Sequence, residues 1–126
     1  DANGHVDGGF GSNGYLALDY AGGSDGGSVG VAADTLGRVI ITGNVKPYPG
    51  AGETDAGVFR LNYDGSLDTT FGNGGKVIND IAGFYDYLGS VILPTDALCA
   101  CQRIVVAGGT TGGSSNQFTF AAFTTQ

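Results

Sequence analysis

The chain has no methionine and no tryptophan, one histidine (His5), one glutamate (Glu53) and two lysines. Exposed helices draw heavily on Glu, Lys and Met. Their scarcity excludes a helical bundle and α/β folds with many helices. Five basic residues, scattered along 126 positions against a net charge of −7, cannot form a phosphate-tracking surface. A nucleic-acid partner is therefore excluded. No apolar run approaches the roughly 20 residues of a membrane-spanning helix. Translation starts at Met, so Asp1 is expected to be a processed start with no signal peptide remaining. Low Lys and Glu beside abundant Gly, Asp, Thr and Ser sets the expectation of a mature secreted bacterial protein. The two cysteines, Cys99 and Cys101, fit an oxidising compartment.

What is present is turn chemistry and apolar bulk. Gly accounts for 25 residues, and hydrophobic residues make up 41%, with six Tyr and seven Phe. That is too apolar for a disordered tail. The chain also repeats itself. Asn3, Gly4, Asp7, Phe10 and Gly11 fall on Asp64, Gly65, Asp68, Phe71 and Gly72. With small insertions, the stretch 27–29 falls on 89–91, 38–43 on 103–108, and 58–61 on 120–123. The reading is two β repeats, 1–61 and 62–126, forming one structural unit.

Each repeat holds four strand-like segments between Gly, Asp and Asn clusters. These are 15–20, 28–33, 38–43 and 57–62, then 76–81, 89–93, 103–107 and 117–123. The stretches from Tyr15 and from Gln117 alternate with period two, as half-buried strands do. Asp34 and Gly37 predict a tight hairpin within 31–43. The fold class is thus all-β: two four-stranded antiparallel repeats on the plan of a β-propeller blade. The alternative is a compact β-sandwich of the two repeats.

The pattern Leu-Asp-x-x-Phe-Gly-x-Gly-Gly over 67–75, with the Arg103 run to Gly109 and the stretch 59–68, resembles the bacterial delta-60 repeat. The hairpin 31–43 resembles blades of NHL and gluconolactonase-like propellers. The resemblance covers nearly the whole chain. It implies tandem arrays on secreted or surface proteins, a propeller-like β-architecture, and no catalytic residues. The chain departs from the pattern in the insert 98–102 and the long loop 44–55.

Several residue groups invite a chemical reading. Asp1, Asn3 and Asp7, and again Asn62, Asp64 and Asp68, place oxygen ligands at i, i+2 and i+6. Calcium takes six to eight oxygens and is a candidate cofactor here. Asx-turns between repeats account for the same residues without metal. Cys99 and Cys101 could form a strained local disulfide, an intermolecular bridge or two thiols. In the loop 44–55, Tyr48 could stack on a sugar while Glu53 and Asp55 accept its hydroxyl hydrogen bonds. A variable connector is the plainer reading of that loop. The glycines of 9–14 spell a dinucleotide fingerprint, but a strand follows where a helix is required. His5 has no nucleophile-elbow serine to serve, and eleven aspartates single out no acid pair. The expectation is a secreted or cell-surface, non-catalytic β-repeat module that binds ligand (carbohydrate included) or serves adhesion as an oligomer. Its partners would be copies of itself or adjoining repeats. The alternatives are an accessory propeller segment of a larger secreted enzyme and a subunit of an extracellular filament.

Overall fold

The computed structural model describes residues 3–19, 27–81, 83–94, 103–112 and 116–124. Seven strands carry it: β1 (Ser28–Ala33), β2 (Val39–Val45), β3 (Asp55–Leu61), β4 (Lys76–Asn79), β5 (Tyr85–Ile92), β6 (Arg103–Thr111) and β7 (Gln117–Thr124). They form two sheets, ordered β1-β2-β3-β4 and β5-β6-β7. All pairings are antiparallel. No helix among the described residues is long and apolar enough to cross a membrane.

The Asp and Gly loading resolves into turns. In the β1–β2 hairpin, one oxygen of Asp34 accepts the backbone N–H groups of Leu36 and Arg38. Its other oxygen holds Arg38 Nε at 2.6 Å, and Gly37 takes φ 76°. A left-handed φ of that kind is costly for any residue with a Cβ. The repeat is visible in local geometry as well. Phe10 N donates to Asp7 O as Phe71 N does to Asp68 O, and Gly14 N donates to Phe10 O as Gly75 N does to Phe71 O.

The expected pair of four-stranded units is corrected in two ways. β4, which begins in the second sequence repeat, pairs with β3 of the first: Val58 opposes Val77 and Ala56 opposes Asn79. Each sheet is therefore staggered against the sequence repeat, and the second sheet has three strands. The expected strand at 15–20 is also not seen. Residues 15–19 form no strand beyond a bridge from Tyr15 to Ser12, and Tyr20 lies outside the described residues. The physical reason is the same for both. A segment in the position of β4 pairs with the sheet before it, and among the described residues 15–18 join neither sheet.

The strand register also adjusts the sequence alignment. Bulges lie between Ser28 and Gly30 opposite Gly43, and between Leu88 and Ser90 opposite Gly108. Gly30 thus corresponds to Ser90, not to the position two residues beyond it. The additional residues of the second repeat fall in the β5–β6 connection.

The sheets pack on a core of Ile40, Ala56, Val58 and Phe71 against Leu88, Ile104 and Val106, flanked by Val91, Leu93, Ala121 and Phe123. Ala56 and Val58 face the second sheet, whereas their repeat mates Phe118 and Phe120 face away from the first. Ala121 and Phe123, mates of Phe59 and Leu61, face the core. The contact is therefore front to back, with non-equivalent faces meeting. Two repeats folded face to face would bring equivalent faces together.

Candidate functional site

The residues with calcium-like spacing are engaged in their own turns. Asp64 Oδ1 accepts the N–H of Ser66 at 2.9 Å and its hydroxyl at 2.6 Å. Those bonds, the hydroxyl's first, hold the Asp64 carboxyl below its usual value. Asn62 presents its amide nitrogen to Ser66 Oγ at 2.9 Å. Asp68 Oδ1 accepts from Thr70 N and Oγ1, while Asp68 Oδ2 meets Arg60 Nε at 2.8 Å and Arg38 Nη1 at 3.5 Å. Asp7 Oδ1 accepts the N–H of Gly9 at 2.9 Å. Asn3 and His5 are exposed, and Asp1 lies outside the described residues. Among the described residues, no three His, Cys, Asp or Glu side chains converge on a metal position. Cys99 and Cys101 also lie outside the described residues.

The loop between β2 and β3 narrows to 46–54, because β2 runs on to Val45 and β3 begins at Asp55. It is pinned rather than loose. Ala51 N donates to Tyr48 O, Asp86 N donates to Thr54 O at 2.7 Å, and Thr54 Oγ1 donates to Asp86 O. Tyr48 stands exposed. Glu53 and Asp55 share an acidic patch with Asp80 and Asp86. Burial first, then the charges of Asp80, Asp86 and Glu53, pushes the Asp55 carboxyl above its usual value.

A raised carboxyl stabilises the fold below its unfolded pKa, and that contribution is lost as pH rises through the folded pKa. At neutral pH the Asp55 carboxylate therefore opposes folding. Asp55→Asn is expected to raise the melting temperature at pH 7 and to leave it nearly unchanged at pH 3. Thermal unfolding at both values checks this, and equal shifts at the two would contradict it.

The sequence of the last strand places Phe118, Phe120 and Phe123 at or beneath a junction with further repeats, and two of them, Phe118 and Phe120, lie on an exposed aromatic face. On the outward side of the second sheet, Tyr85, Tyr87 and Ile92 of β5 and Phe118 and Phe120 of β7 are exposed. Gly109 lies between the aromatic residues, opposite Tyr87 on one side and Phe118 on the other. A Cβ at Gly109 would sit 2.8 Å from Tyr87 Oη, so the missing side chain lets that ring lie across the sheet. Phe118 is 91% exposed and Phe120 75%, whereas their mates Ala56 and Val58 are 4% and 1% exposed. Burying a phenylalanine contributes about 1.5–3 kcal/mol, so the bare face forgoes several kcal/mol. The outer edge of β7 is also unpaired among the described residues. The signal available in the sequence was the aromatic alternation of β7 together with Tyr85 and Tyr87, two residues apart on one face.

No curated protein and no solved structure matches the chain. Residues 37–71, which span the hairpin turn, β2, β3 and the turn carrying Asp64 and Asp68, match the family model described as Domain of unknown function (DUF5122) beta-propeller, and this supports a propeller-type repeat.

Proposed function

We propose that the chain is a non-catalytic, extracellular β-repeat module of the delta-60 kind, related in pattern to NHL-type blades, that works by assembling with further repeats. The observation that carries this reading is the contrast between Phe118 and Phe120, which are bare, and Ala56 and Val58, which are buried at the same repeat positions. Large contiguous aromatic surface on a soluble protein marks an interaction site. Front-to-back packing supports a propeller-type stack over a closed sandwich, because non-equivalent faces of the two repeats meet. Low Lys and Glu with high Gly and Asp supports an extracellular setting. In the assembly, Tyr48, Glu53 and Asp55 would offer a ring and two carboxyls to a glycan.

Sedimentation velocity tests the assembly. The chain is expected to associate with rising concentration in the micromolar range. Phe118→Ser with Phe120→Ser is expected to weaken that association at least about tenfold, the equivalent of about 1.4 kcal/mol. A wild-type chain that stays monomeric throughout would overturn the reading.

A further inference from the structure

We infer that the segment 15–18 of one chain adds as the fourth strand to β7 of a second copy, in a fixed antiparallel register. The inference rests on the assembly reading above and names its partner and its contacts.

The template is inside the chain. β4 crosses from the second repeat to complete the first sheet against β3. Residues 15–18 are the repeat mates of 76–79, and β7 is the mate of β3. The turn that delivers β4 is duplicated ahead of 15–18. Gly4, Gly11 and Gly14 have φ of 79°, 57° and 89°, beside 85°, 54° and 94° at Gly65, Gly72 and Gly75. The turn ahead of the donor thus repeats the turn ahead of β4, yet 15–18 pair with no strand among the described residues. The acceptor edge of β7 is unpaired among the described residues. By the repeat, 15–18 stand where β4 stands in relation to β3, and the β7 edge stands where β3 receives β4.

Transferring the observed register fixes the contacts. Val58 opposite Val77 becomes Phe120 opposite Leu16, and Ala56 opposite Asn79 becomes Phe118 opposite Leu18. Two further contacts travel with the strand. Phe71 is buried beside β3, and its mate Phe10, only half-buried, would enter the same position beside β7. Arg38 at the start of β2 reaches Asp68 at 3.5 Å. The mates are Arg103 at the start of β6 and Asp7, so one charge pair within the chain recurs between chains. A backbone ladder, an aromatic anchor and a complementary charge pair thus converge on one occupant, a second copy related head to tail. An interface of this type closes into a ring or runs on as a filament.

Cysteine pairing provides the test, in a chain carrying Cys99→Ser and Cys101→Ser. Leu16→Cys and Phe120→Cys are made in separate chains and mixed under mild oxidation. Directly opposed antiparallel residues lie within disulfide reach. A disulfide-linked dimer is expected from this mixture, and at least tenfold less from Leu16→Cys with Thr119→Cys, which points to the other face. Separately, Ala17→Pro, in a segment that belongs to no sheet among the described residues, is expected to weaken association at least tenfold. The circular dichroism of the dilute protein should stay unchanged. Association that persists with no preference for Phe120 over Thr119, or that ignores Ala17→Pro, overturns the strand addition and leaves the assembly reading standing. Absence of any association overturns both.

Discussion

Replacing Arg60 with alanine is expected to destabilise the fold by about 3–5 kcal/mol, the cost of leaving one partner of a buried ion pair behind. Arg60 is 1% exposed on β3. Its Nε meets Asp68 Oδ2 at 2.8 Å, its Nη2 meets Thr70 Oγ1 at 2.9 Å, and its guanidinium carbon lies 4.8 Å from the centre of the Phe71 ring. The backbone reinforces the same junction: Asp68 N donates to Arg60 O, and Arg60 N donates to Gly75 O. One side chain thus clamps the 62–75 turn onto the sheet and positions β4. Removing it leaves the buried Asp68 carboxylate only the longer Arg38 contact at 3.5 Å as a cation and uncovers Phe71. Urea unfolding would measure the loss. Arg60→Met with Asp68→Asn should recover part of it, since neither charge then remains; a double variant worse than the sum of the two singles would contradict this account.

The same cluster sets the acid limit. The Thr70 hydroxyl, then its N–H and the Arg60 charge, outweigh burial and hold the Asp68 carboxyl below its ordinary 3.8. At Asp34 burial opposes the shift, and the hydrogen bonds from Arg38 overcome it. A depressed carboxyl contributes stability above its unfolded pKa and loses it as pH falls through the folded one. Stability from both groups is therefore complete above about pH 4 and drains away below it. In Arg60→Ala that acid loss should be shallower.

Turn chemistry was legible in the sequence because it is local. Asp34, Asp64 and Asp68 each bond backbone within a few residues, and Gly37 and Gly65 sit at the left-handed positions their turns require. The repeat was legible for the same reason. Strand partnership was not. The pattern at 76–79 marks a strand but says nothing of which sheet it joins. Nor does spacing distinguish an aspartate that awaits calcium from one that meets Arg60, because the arginine arrives from an adjacent strand. β5 and β6 run longer than the β-branched stretches suggested, back to Tyr85 and on to Thr111. Gly108 and Gly109 look like a turn until the Tyr87 ring is seen to lie over Gly109. The Phe residues of the last strand were legible as junction residues, but their division was not: Phe118 and Phe120 are bare while Phe123 packs against the core.

Gly108→Ala is expected to cost about 3 kcal/mol, at the upper end of overpacking, although it adds a single methyl group. A Cβ at Gly108 would overlap the Tyr87 carbonyl oxygen and lie 2.8 Å from both Tyr87 C and Leu88 Cα. All three are backbone atoms, so no side chain can turn aside. Relief requires moving β5 away from β6 at the bulge where Leu88 pairs with Gly108. Leu88 is fully buried at the centre of the contact between the sheets, so the displacement would open the core. Gly52 provides the comparison: a Cβ there meets nothing within 4 Å, and Gly52→Ala should stay within about 0.5 kcal/mol of wild type. Urea midpoints for the two variants decide the matter, and a Gly108→Ala chain as stable as Gly52→Ala would show that the strands separate freely. The position also explains a motif. Gly43 and Gly108 close the two matching runs 38–43 and 103–108, and each stands opposite the bulge of its sheet. At Gly108 the missing side chain is what lets the neighbouring strand bend toward it.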